Sequence, residues 1–83
     1  MKKSWYLQIL ETPIKNGKRL FYVFFSVRGR LAGHYAKIWA TRYSVARDTA
    51  YELWGLAEVA TIESNVENAR EKINLFNYKE IKI

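Results

Sequence analysis

The chain has no cysteine, one histidine, one proline and one methionine among its 83 residues. Without cysteine there is no disulfide and no thiolate, and His34 alone cannot make a zinc site of the usual kind. The absence of thiols fits a reducing compartment, and a cytoplasmic protein is expected. No run approaches the ~18 apolar residues of a membrane-spanning helix. The stretch after Met1-Lys2-Lys3 alternates and carries Gln8 and Glu11, unlike the apolar core of a signal peptide. No membrane partner is expected. Acid is scarce in the first half. Residues 1–43 hold nine basic side chains against Glu11, whereas residues 44–83 hold five against seven acidic ones. The net charge is +6. Excess positive charge on one part of a chain raises the prospect of a polyanionic partner.

Aromatic residues are plentiful, with three Trp, six Tyr and four Phe. A chain this short buries little more than ~60% of its unfolded surface, and large rings compensate for missing staples. They concentrate in Arg19-Leu20-Phe21-Tyr22-Val23-Phe24-Phe25-Ser26-Val27. This β-branched and aromatic run has strand length and is bounded by turn signals. Alternation puts Phe21, Val23, Phe25 and Val27 on one face and Leu20, Tyr22, Phe24 and Ser26 on the other. Both faces of this central strand are apolar and both need cover.

Around it, Lys3 to Glu11 alternates as a first strand, broken at Thr12-Pro13. Asn16-Gly17 predicts a hairpin with a basic tip, Lys15 to Lys18, because both residues tolerate positive φ. His34 to Thr41 is a third strand, with Ala36, Ile38 and Ala40 opposite Tyr35, Lys37 and Trp39. Ser44 is a candidate N-cap for a helix over 45–54. Its apolar stripe is Val45, Ala46, Thr49, Ala50, Leu53 and Trp54, and Gly55 is its C-cap. Ala57 to Glu63 suits a fourth strand. Ser64-Asn65-Val66-Glu67 matches a capping box. It opens a second helix marked by Val66, Ala69, Ile73 and Phe76 and ending at Asn77. Tyr78 to Ile83 suits a short last strand or an ordered tail. The expected architecture is a single α+β domain spanning 1–83, in the order β-β-β-α-β-α-(β). A three- to four-stranded antiparallel meander carries one main helix on one face and a second, C-terminal helix.

If helix 45–54 covers the face of Phe21, Val23 and Phe25, then Tyr22, Phe24, Tyr35, Lys37 and Trp39 occupy the other. Three covers compete: the second helix folded back, a symmetric homodimer, or a binding partner. As a binding surface, Tyr22, Tyr35 and Trp39 would stack on bases or dock a partner. Lys15, Lys18, Arg19, Arg28, Arg30, Lys37 and Arg42 would meet phosphates. The partner would be DNA or RNA. The alternative is a protein complex, met by a phage- or mobile-element-type accessory factor that uses the same Tyr, Trp and Arg anchors. No spacing of His34, Ser or acidic residues makes a catalytic set, and Arg28-Gly29-Arg30 lacks the rest of a phosphate-cradling loop. A non-enzymatic protein without cofactor or metal is expected.

In element order, Lys18 to Gly55 resembles the three-stranded sheet and packed helix of integrase arm-type and plant ethylene-response-type DNA-binding domains. That resemblance implies a sheet entering the major groove, with Arg19, Arg28, Arg30 and Lys37 as contacts. Groove-reading strands, however, carry more polar side chains than this one.

Overall fold

The computed structural model describes residues 14–82, with Ile14 and Lys15 described in their strand pairing alone. The strand expected over Lys3–Glu11, the break at Pro13 and the side chain of Lys15 lie outside the described residues.

The apolar run folds as the central strand. β1 (Ile14–Lys15) and β2 (Lys18–Phe25) form a tight hairpin. Asn16 (φ 54°) and Gly17 (φ 74°) take the left-handed conformations that a two-residue turn of this hand needs. β3 (His34–Ala40) runs antiparallel along one edge of β2, from Arg19 opposite Ala40 to Phe24 opposite Tyr35. β4 (Val59–Glu63) runs antiparallel along the other edge, with an irregularity at Phe24/Phe25. β5 (Lys79–Glu80) pairs with the outer edge of β3, and it does so in parallel.

The fold is therefore α+β as expected, but its sheet is mixed rather than an antiparallel meander. The cause is the connection. β3 and β4 both oppose β2, so they run the same way, and β4–helix–β5 is a crossover that returns the chain in its original direction. The last strand must then lie parallel to β3.

Two helices close the two faces. α1 (Tyr43–Trp54) presents Ala46 and Ala50 to Phe21, Val23, Phe25, Ala36, Ile38 and Ala40. The small residues on both sides allow close approach. Its N-cap is Arg42 rather than Ser44, and no side chain caps it. The helix starts early because the Tyr43 ring packs edge-on against Phe21, with centroids 6.5 Å apart. Gly55 (φ 97°) ends it, its N–H donating to the Tyr51 carbonyl at 2.8 Å. Of the expected stripe, Val45 and Leu53 face solvent.

α2 (Val66–Phe76) is the helical part of the crossover and lies over the second face. Val66 and Ala69 pack on Leu20, Tyr22 and Phe24, with Tyr35, Ile73 and Tyr78 at the margin. Every residue from Leu20 to Phe25 is buried. The cover for the second face is the folded-back helix. The expected capping box is displaced by one residue. Asn65 is the cap, its Oδ1 accepting from the Asn68 N–H at 2.9 Å. The carboxylate that accepts the cap's own N–H belongs to Glu63 (3.0 Å), upstream of the helix, instead of Glu67. Asn77 (φ 56°) ends α2 as expected and turns the chain so that Tyr78 packs against Phe24, 5.2 Å between centroids.

Candidate functional site

Burial under α2 changes what the aromatic residues can do. Tyr22 is 6% exposed and stacks on Tyr35 inside the second core, 6.0 Å between centroids. Tyr35 is half-buried against Phe24. Tyr22 has no open ring face for a base, Tyr35 keeps part of its surface in solvent, and Trp39 is 40% exposed. The expected stacking or docking role of Tyr22 on an open sheet face is thus corrected: its ring lies in the core that the protein's own helix covers. A sheet covered on both faces also cannot lay a face in a groove, as the DNA-binding layout of similar element order would imply.

The basic side chains divide between the two ends of β2, about 25 Å apart at ~3.3 Å per residue. At the far end, the β2–β3 loop carries Arg28 and Arg30. Glu58, on the short 3₁₀ turn Leu56–Glu58, holds this loop. Its Oε1 accepts from the Arg30 N–H at 3.0 Å, its Oε2 lies 3.9 Å from Arg30 Nε, and its carbonyl accepts from the Ser26 N–H at 2.8 Å. Gly29 lets the Glu58 carboxylate come this close, and a Cβ there would push the carboxylate aside. Arg30 is thus partly neutralised, while Arg28 is exposed. Lys37, midway along β3, sits 3.8 Å from Glu80 on β5. Burial, with help from the Glu80 charge and then Tyr22, raises the Tyr35 pKa above its ordinary value of 10.0.

The near end differs. Lys18, Arg19 and Arg42 are exposed, and no ion pair to any of them occurs among the described residues. Arg19 and Arg42 line one cleft of about 450 Å³ together with Phe21, Thr41, Tyr43, Ser64 and Asn65. Among the described residues, no carboxylate lines it. Topology explains why these residues meet. β3 and β4 both finish at this end, beside the start of β2, and each leads directly into a helix. Tyr43 opens α1 and Asn65 caps α2. Two helix N-termini, each with partial positive charge, therefore flank two guanidinium groups.

Of the residues expected to bind, this cleft unites Arg19 and Arg42, with Lys18 next door. It leaves Arg28, Arg30 and Lys37 elsewhere. Thr41, Tyr43, Ser64 and Asn65 were not anticipated. Their link to Arg19 is purely tertiary, although Thr41-Arg42-Tyr43 at a strand's end and Ser64-Asn65 at a helix start are positions where backbone donors are available. A second, more apolar groove of about 630 Å³ runs along α2 past Asn68, Glu71, Lys72, Asn74, Leu75 and Phe76. Among the described residues no three His, Asp or Glu side chains cluster as metal ligands, and no helix is long and apolar enough to cross a membrane. Comparison with protein-family models, with curated proteins and with solved structures yields no match.

Proposed function

We propose that the protein is a small, non-enzymatic nucleic-acid-binding module that holds phosphates at the hairpin end of its sheet. The observation that carries this is the cleft that Arg19 and Arg42 both line, with no carboxylate among its described lining residues, beside the exposed Lys18. A phosphate seated between two guanidinium groups meets two positive charges and satisfies their forked donors. Arg28 at the far end of β2 supplies a second contact at a distance that a strand of nucleic acid spans. Arg30 and Lys37, already paired with Glu58 and Glu80, contribute less.

The test is fluorescence anisotropy with a labelled oligonucleotide at about 50 and 200 mM salt. Three to four phosphate contacts predict that affinity for duplex falls roughly 40- to 150-fold between the two. The Arg19→Gln/Arg42→Gln double variant should weaken binding and flatten the salt slope by about two. Absence of wild-type binding at ~50 mM salt sinks the proposal. A second function, docking on a protein complex or on a second copy of the chain, is favoured by Leu75 and Phe76, which α2 leaves 74% and 60% exposed beside its groove. A partner retained after nuclease treatment and a high-salt wash, and lost on Leu75→Ser, would support it instead.

A further inference from the structure

We infer that the Arg19–Arg42 cleft seats one nucleotide of an unpaired strand, its phosphate between the two arginines and its base on Tyr43. This rests on the nucleic-acid reading above and names the form of nucleic acid that the site takes. Three observations carry it. The first is size. A cleft of about 450 Å³ exceeds what a lone oxyanion needs and falls within the ~300–1,000 Å³ of small-ligand sites. The second is Tyr43 itself. Its ring is anchored by the edge contact to Phe21, and the residue is still 51% exposed. An aromatic side chain held by the core and open to solvent is a platform for stacking, and every base has a face to offer it. The third is the distribution of polarity. Arg19, Arg42 and the Thr41 hydroxyl give the cleft a donor-rich part, and the Phe21–Tyr43 pair gives it an apolar one. The N-terminus of α2 adds positive potential on the Ser64–Asn65 wall. A phosphate joined to a sugar and base matches that division, whereas a bare anion leaves the apolar part in water.

The unpaired state follows from the stacking. A base within a duplex is sandwiched between its neighbours and cannot lie on Tyr43 unless it is splayed out of the stack. The site therefore favours single strands, loops or ends over continuous duplex.

The experiment compares a labelled oligothymidylate with a duplex of equal length, using wild type, Tyr43→Leu, Tyr43→Phe and Arg42→Gln. Thermal unfolding serves as the folding control. The inference expects single strand to bind more tightly than duplex. Tyr43→Leu should weaken single-strand binding about tenfold, the scale of one lost base stack, and leave duplex binding unchanged. Tyr43→Phe should keep wild-type affinity, because it preserves the ring. Arg42→Gln should weaken both and lower their salt dependence. Titration of ¹⁵N-labelled protein with thymidine 5′-monophosphate should shift the amides of Thr41, Tyr43 and Asn65 more than thymidine or inorganic phosphate does. Duplex bound as tightly as single strand, with Tyr43→Leu neutral in both, overturns this inference and leaves the wider proposal standing. No wild-type binding to either overturns both.

Discussion

Phe24→Ala tests whether the second face of the sheet is truly interior. Phe24 and Phe25 are neighbours on β2 and each is 1% exposed, yet they point to opposite faces. Phe25 lies under α1, edge-on to Trp54 at 5.0 Å. Phe24 lies under α2 between Tyr35 and Tyr78, with Lys72 Nζ 4.5 Å above its ring. Truncating a fully buried phenylalanine costs about 3–5 kcal/mol, and the cation over Phe24 adds ~0.5–1 kcal/mol. A domain of this size is stable by roughly 4–12 kcal/mol, so either alanine variant loses a large share of its stability. Phe24→Leu and Phe25→Leu, at about 1 kcal/mol each, keep the comparison measurable if the alanine variants unfold. Urea denaturation followed by far-UV circular dichroism gives the numbers. With a slope near ~1 kcal/mol per molar, each alanine variant lowers the midpoint by about 3 M or more. The reasoning fails if Phe25→Ala shows that loss while Phe24→Ala costs under ~1 kcal/mol, because an open second face would give that asymmetry.

Gly29→Ala drives a methyl into the Glu58 carboxylate that holds the Arg28–Arg30 loop. The carboxylate must swing aside and release the Arg30 N–H, which should cost about 0.5–1.5 kcal/mol, read as a lower Tm, and an unchanged Tm would show that Glu58 does not stabilise the loop. Asn65→Ala removes the α2 cap and should cost about 1 kcal/mol. An unchanged Tm would refute the cap. The Tyr35 pKa is raised in the fold, so the neutral phenol is the form that the fold favours. Its contribution is fully present below the ordinary value near 10 and is lost as pH rises through the raised one. Wild type should therefore lose stability more steeply than Tyr35→Phe above about pH 10, and equal slopes in chemical denaturation between pH 8 and 11 would contradict this.

The central strand was legible because nearly every residue from Leu20 to Phe25 is of a type that suits burial in a sheet. Asn16-Gly17, Gly55 and Asn77 were legible because each turn or cap demands a backbone conformation that few residues adopt. The caps at the helix starts were misplaced by one or two residues. There, tertiary contacts decide the outcome: Tyr43 packs on Phe21, and Glu63 takes the Asn65 N–H that Glu67 was expected to hold. The stripe on α1 read too wide: Ala46, Ala50 and Trp54 meet the core, while Val45 and Leu53 face solvent. β5 could not be read as parallel because two residues carry no periodicity. The cleft was illegible for a different reason: it joins Arg19 to residues 41–43 and 64–65, and only the pairing of β2 with β3 and β4 brings them together.

That pairing also explains why a binding site at this end is physically reasonable. A strand buried on both faces has no room for charge in its middle, so β2 carries its cations at Lys18-Arg19 and again in the loop beyond it. β3 and β4 run parallel to each other, β3 finishing opposite Arg19 and β4 opposite Tyr22. The chain then leaves β3 for one face of the sheet and β4 for the other. Connections that diverge to opposite faces from the carboxyl ends of parallel strands open a crevice between them, with both helix N-termini turned toward it, and sheets of the doubly wound kind bind their ligands in such crevices. Here the parallel strands are not adjacent. The start of the antiparallel β2 lies between them and brings Arg19 into the crevice, so the strand that forms the core also delivers a charged side chain to the site. Covering the second face therefore moves the proposed binding surface from the middle of the sheet to its end.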